Sequence, residues 1–259
     1  MRFYVGLHIV SHAVHFGRCM ISVNRLRKRK SEFSVKEWIL DSGAFSQIYR
    51  GGCHMPAEEY AEQINRWRKC GNLVAAVTQD FMCEPFILAR TGATVEQHQA
   101  WTVERYVNLL DLVGSDVYIM PVLQGYKPED YVRHIIAYGR LLRHGAWVGV
   151  GSVCKRNSSP AEVYEILRTI KETRPDLRLH GFGLKITVFK FPEITKMLYS
   201  ADSMAWSYAG RRRDGKSAND WVKAKEFVEK VAQITSYPMP SLFDLDFGEN
   251  QTILRKEMA

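Results

Sequence analysis

Met1-Arg2-Phe3-Tyr4-Val5-Gly6-Leu7-His8-Ile9-Val10 is the stretch on which the fold turns. Arg2–Ile9 is an apolar run of strand length, and its end carries Gly6-Leu7-His8 rather than G-x-G-x-x-G. A dinucleotide-binding sheet places that glycine fingerprint in the turn after its first strand, so its absence disfavours an open doubly wound sheet. The stretch is superficially like a leader peptide. His8 and His12 interrupt it, and no small-x-small cleavage site follows, so it reads as a first strand.

Working outward, further apolar runs occur at Trp38–Asp41, Leu73–Asp80, Val117–Gln124, Trp147–Ser152, Leu177–Leu184 and Ser203–Tyr208. Most are continuously apolar, as expected for parallel strands covered on both faces. Amphipathic segments separate them: Ala57–Cys70, Thr94–Val113, Pro128–Leu142, Pro160–Thr173, Pro192–Tyr199 and Ala218–Ile234. Several open with proline and acids, as in Pro128-Glu129-Asp130 and Pro160-Ala161-Glu162, a pattern suited to a helix first turn. Strand–helix alternation implies right-handed βαβ units. The expectation is a (β/α)8 TIM-like barrel with its eighth strand at Gly17–Val23, or irregular in these N-terminal units. Residues 1–259 read as one catalytic domain with a tail over 236–259.

The chain has 259 residues, 46% of them hydrophobic, and lacks any run near the roughly 18 apolar residues that cross a bilayer. The five cysteines (Cys19, Cys53, Cys70, Cys83, Cys154) are odd in number and scattered, which fits reduced thiols and a cytoplasmic setting. Cys53-His54 and Cys83 match no common zinc spacing, so no metal or cofactor is expected. Lys and Arg exceed Asp and Glu, 36 against 28, a net charge of +8 that suits a polyanionic partner. The excess is concentrated at Arg25, Arg27, Lys28, Arg29 and Lys30, and at Arg211, Arg212, Arg213 and Lys216. Solvated loops account equally well for either cluster alone.

Candidate chemistry gathers where the runs end, and in a barrel all carboxyl ends of strands meet on one face. Asp41 lies in Asp41-Ser42-Gly43-Ala44-Phe45, Asp80 in Thr78-Gln79-Asp80-Phe81, and Gln124 in Leu123-Gln124-Gly125. Gly149-Val150-Gly151-Ser152 and His180-Gly181-Phe182-Gly183-Leu184-Lys185 follow, and Asp202 precedes the last run. Each aspartate singly also suits a helix cap or turn, but three at apolar strand ends need partners to be buried.

These elements, in this order, resemble the tRNA-guanine transglycosylase superfamily: an Asp-Ser-Gly-Ala-Phe element, a later strand-end Asp, a Gln-Gly strand end, a glycine-rich strand end and a late Asp. The resemblance spans roughly residues 36–215 and, within the superfamily, is nearest to DpdA, its phage and bacterial DNA branch, which places 7-deazaguanine bases such as preQ0 into DNA. It implies Asp202 as nucleophile and Asp41 as general acid/base. Asp80 and Gln124 would read the purine edge, with Gly149, Val150, Gly151 and Ser152 completing the pocket. Phe45, beside the Asp41 motif, is a candidate to stack on the base, as are Phe81, Tyr126 and Trp206; His180 and Lys185 are further substrate contacts. DNA is the implied partner, tRNA the runner-up, and a 7-deazaguanine base the co-substrate. Two features depart from the tRNA enzymes. No cysteine follows Cys154, so their zinc site is missing, and Met204-Ala205-Trp206-Ser207-Tyr208 replaces their proline–threonine–arginine run. A nucleoside hydrolase or a non-catalytic nucleic-acid-binding barrel are the other readings.

Overall fold

The computed structural model describes residues 1–156, 158–213 and 219–236. Apolar runs become strands β1 (Arg2–Gly6), β2 (Arg18–Ser22), β3 (Glu37–Asp41), β4 (Asn72–Val77), β5 (Ile119–Met120), β6 (Val122–Leu123), β7 (Trp147–Val150), β8 (Arg178–Gly181) and β9 (Leu198–Ser203). Between and after them lie helices α1 (Ala44–Gly51), α2 (Ala57–Trp67), α3 (Pro85–Thr91), α4 (Val95–Val113), α5 (Pro128–Tyr138), α6 (Pro160–Thr173), α7 (Ile186–Phe189), α8 (Pro192–Met197), α9 (Tyr208–Arg213) and α10 (Trp221–Ser236). The expected tail beyond Ser236 lies outside the described residues.

Every strand pairing is parallel, and the sheet order is β5-β4-β3-β2-β1-β9-β8-β7-β6. The two ends of that order, β5 and β6, are separated in the chain only by Pro121, which has no N–H to give to a ladder. Thr78 N–H donates to Met120 O on one side, and Gly149 N–H donates to Pro121 O on the other. The sheet therefore returns on itself as a nearly closed TIM-like α/β barrel. Nine strands, with β5 and β6 counted as halves of one, make the eight positions of a (β/α)8 barrel.

Period-two alternation sorts the strand side chains into two layers. Tyr4, Met20, Ile39, Ala75, Val77, Met120, Val122 and Trp147 point inward and pack as one cluster filling the barrel. Their neighbours Val5, Cys19, Ile21, Trp38, Leu40, Ala76, Val148, Val150 and Leu179 point outward into the shell under the helices. The inward row continues toward the carboxyl ends as Asp41, Gln124, His180 and Asp202, so the fold itself brings polar groups to one mouth.

Two expectations need correction. The last strand is Leu198–Ser203, not Ser203–Tyr208; residues Ala205–Ser207 form a 3-10 turn and α9 follows. Met204 and Trp206 look strand-like because they are apolar, but they fold back over the end of β1. Trp206 Nε1–H donates to Gly6 O at 2.9 Å, and a Cβ on Gly6 would lie 2.1 Å from Met204 Cγ. Asp202 accordingly ends a strand rather than preceding one. The final helix runs from Trp221 rather than Ala218. The N-terminal units carry the irregularity that was allowed for: short 3-10 segments, Val10–His15 and Val23–Arg25, stand where the helices after β1 and β2 would be, although β2 pairs with β3 over its full length.

Candidate active site

A cavity of about 370 Å³ opens at the carboxyl ends of the strands, a volume in the usual range for small-ligand clefts. Asp41, Asp80, Gln124, Gly151, Ser152, Asp202 and Phe45 all line it. Residues far apart in the chain thus share one hollow, as strand-end placement requires.

Asp41 ends β3 and receives hydrogen bonds from the Ser22 side chain and the Gly43 backbone. Gly43 is needed at this turn: its φ is +73°, and a Cβ there would sit 2.2 Å from Asn24 Nδ2. Burial lifts the Asp41 carboxyl from its ordinary 3.8 to about 6, with the Asp202 charge adding to the rise and the two hydrogen bonds opposing it. Asp80 is buried more completely and is pushed from 3.8 up to about 7, first by loss of water, then by the charges of Asp41 and Glu84. The hydrogen bond from Gln124 Nε2–H to Asp80 Oδ2 works the other way.

Gln124 is locked in one orientation. Its Nε2 faces Asp80, while its Oε1 lies 2.9 Å from Ser152 Oγ. Only glycine fits at 151, since a Cβ would come within 2.1 Å of that amide. Ser152 has φ +56°, the left-handed region that a serine rarely adopts. The turn holds its Oγ where it accepts from Cys83 N–H at 3.1 Å and approaches Glu84 Oε2 at 3.1 Å.

Asp202 is anchored from behind. Its Oδ1 accepts from Gly183 N–H at 2.9 Å and lies 3.4 Å from His180 Nε2, longer than a good hydrogen bond. His180 Nδ1 is 2.8 Å from Ser200 Oγ, which also accepts the indole N–H of Trp147 at 2.8 Å. With the serine hydroxyl donating to Nδ1, the imidazole proton sits on Nε2, aimed at Asp202 but short of hydrogen-bond distance. Oδ2 is then the oxygen of Asp202 left to serve the cavity.

Several sequence candidates sit elsewhere. His180 is fully buried beneath Asp202 rather than on the cavity wall. Gly149 points inward but is covered by Phe182, whose ring would be 2.3 Å from a Cβ there, and Val150 points outward into the helix shell. Lys185 precedes α7 with its Nζ 5.5 Å from the centre of the Tyr208 ring, at the rim rather than inside. Phe81 packs against His54 and Trp101, Tyr126 lies under Arg156, and Trp206 packs beside His8, so none of these three faces the cavity.

The basic clusters divide. Arg27 pairs with Glu59 at 2.7 Å, and Arg29 donates to the backbone oxygens of Ser31 and Glu32. Lys28 and Lys30 are exposed, and Arg25 reaches His8 Nδ1 at 3.2 Å. Arg211, Arg212 and Arg213 belong to α9, where the Arg212 guanidinium lies 5.8 Å from the Tyr208 ring centre. Lys216 lies outside the described residues.

Sequence reasoning missed Ser22, Glu84 and Phe182, which also line the cavity. Glu84-Pro85 at the start of α3 reads simply as a helix entry, and its nearness to Ser152 depends on a contact 68 residues away. Phe182 follows β8 inside a glycine pair, a hint that a large side chain needs room there.

Fold and cavity together define the class: a TIM-like barrel with carboxylates and an amide gathered at its strand ends. The chain belongs to the DpdA family, whose model, described as DeoxyPurine in DNA protein A, matches residues 1–225. It is thus a DpdA-like transglycosylase with a role in deazapurine modification of DNA, and DNA is its substrate. No curated protein matches the chain. Among the described residues, no helix is long and apolar enough to cross a membrane.

Proposed function

We propose that the chain exchanges guanine in DNA for a 7-deazaguanine base of the preQ0 kind, through a covalent aspartyl–sugar intermediate. The observation that carries this reading is the convergence of Asp41, Asp80, Gln124 and Asp202 on one cavity. Asp202 Oδ2 attacks the sugar carbon as its bond to the guanine ring nitrogen breaks, and that nitrogen takes a proton from Asp41. The incoming base then gives a proton back to Asp41 as its nitrogen displaces the aspartyl oxygen. A carboxyl near pKa 6 suits both transfers at neutral pH.

Asp80 and Gln124 recognise the base. Ionised Asp80 accepts from the ring N–H and the exocyclic amine of a guanine-like base, donors that adenine does not offer on that edge. The backbone of Gly151 and Ser152 closes the pocket, and Phe45 stacks on the base from the mouth. His180 positions Asp202 through its Nε2 side. Arg25, Lys28, Lys30, Lys185 and Arg212 supply phosphate contacts around the rim, and the chain acts as one catalytic domain.

Incubating radiolabelled preQ0 with guanine-containing DNA and, separately, with tRNA tests this directly. Label is expected in DNA alone. Label entering only tRNA would transfer the same chemistry to RNA, and release of free guanine without any added base would make the protein a hydrolase.

A further inference from the structure

Two short helices leave the cavity rim side by side. α1 begins beside Asp41 and α3 beside Glu84. Their inner faces, through Ala44, Ile48 and Ile87, pack with Phe81 and Met82 of the segment before α3 into a small cluster separate from the main core. Their outer faces carry aromatics: Phe45, Tyr49 and Phe86 are 40%, 48% and 42% exposed. The rings form one ledge. Phe45 and Tyr49 lie parallel with centres 5.6 Å apart and planes 7° off, and Phe86 meets both edge-on at 6.4 and 6.2 Å. Arg90 extends over Tyr49, its guanidinium 5.8 Å from the ring centre, held by a hydrogen bond to Arg50 O at 3.2 Å.

Three adjacent exposed aromatics are more than a soluble surface needs, and such patches mark contact sites. Two features identify what is contacted. The ledge is continuous with the cavity, because Phe45 belongs to both. It is also flanked by exposed cations, Arg50 and Arg90, and by no exposed acid on either helix. Flat rings beside cations are what unstacked bases on a phosphate backbone require, whatever their sequence.

We propose that the Tyr49–Phe86 ledge stacks on the unpaired bases next to the nucleotide held in the cavity, so that the protein grips an opened DNA strand rather than intact duplex. This rests on the base-exchange reading and adds the form of the substrate. Drawing one base into the cavity unstacks its neighbours, and the ledge would replace part of the lost stacking.

Fluorescence anisotropy with a labelled single-stranded oligonucleotide holding one guanine tests the ledge, with parent and variants all carried in the Asp202→Asn background, where no covalent adduct forms and binding alone is read. Tyr49→Ala with Phe86→Ala is expected to weaken binding by about 10-fold per ring. Tyr49→Leu with Phe86→Leu, which keeps apolar bulk, should weaken it similarly, whereas Tyr49→Trp should bind as the parent does. In exchange assays the alanine pair should raise KM for DNA and leave KM for the free base unchanged. Binding of the alanine pair within twofold of the parent would overturn the proposal. So would a leucine pair that binds like the parent, or a parent dimer that the alanine pair dissolves without loss of DNA affinity. Failure of the base-exchange reading looks different: the parent binds the oligonucleotide through the ledge yet incorporates no base.

Discussion

The lower and upper halves of the barrel interior are built by the same strands with the same inward parity, yet they do opposite things. Below, Tyr4, Met20, Ile39 and Trp147 fill the barrel with apolar bulk. Above, the same strands and their neighbours present Asp41, Gln124 and Asp202 to a cavity. Moving two residues along β3, from Ile39 to Asp41, crosses from a group that holds the barrel shut to one whose burial is unfavourable. Position along a strand, rather than strand identity, separates stability from chemistry here.

That contrast can be broken most severely at Asp41. Asp41→Asn keeps the shape and removes the transferable proton, so exchange should fall by roughly 10²–10⁴-fold in steady-state assays while the melting temperature holds or rises. A loss of less than about tenfold would remove Asp41 from the acid/base role. In the lower half the pattern should invert: Trp147→Ala is expected to cost about 3–5 kcal/mol in denaturant unfolding, with activity per folded molecule retained at low temperature.

Asp80 sharpens the comparison through pH. Its folded pKa, about 7, lies above the ordinary 3.8, so the folded protein holds a proton that the unfolded chain loses between those values. This group's burden on stability is therefore absent below about pH 4 and complete above about pH 7. Asp80→Asn should stabilise the protein by the order of a few kcal/mol at pH 8 and by much less at pH 5, read as melting temperatures at both. The same sign governs recognition: base affinity should fall as pH drops below 7, because the protonated acid cannot accept two hydrogen bonds. Flat profiles for both would deny Asp80 its place.

The smallest effect is expected at the border between the halves. Ser200→Ala strands the Trp147 indole N–H and frees His180 Nδ1, for about 1–3 kcal/mol of stability. It should lower kcat with little change in KM, since His180 acts on Asp202 and not on the base. A purely structural role would leave kcat per folded molecule unchanged.

Much of this was legible in the sequence. Parallel strands buried on both faces leave continuous apolar runs, which is why β1, β2, β3, β4, β7 and β8 stand out. Asp41, Asp80 and Gln124 are visible because polar residues closing such runs are anomalous. What was hidden has physical causes as well. Met204 and Trp206 are apolar for a 3-10 turn folded over Gly6, which mimics a strand. α1 and α3 are too short for a helical period to show, so the aromatic ledge and Glu84 disappear into an apparent loop. The approach of Ser152 to Glu84, 68 residues apart, is a long-range matter of closure with no local trace.

In the proposed exchange Asp202 takes the sugar while the base departs. Incubating the protein with a guanine-containing oligonucleotide, without incoming base, and resolving the products under denaturing conditions tests it most directly. The expected result is a protein–DNA adduct whose modified peptide contains Asp202, discharged by added 7-deazaguanine and absent from Asp202→Asn. An adduct that persists in Asp202→Asn, or that maps to another residue, would contradict it.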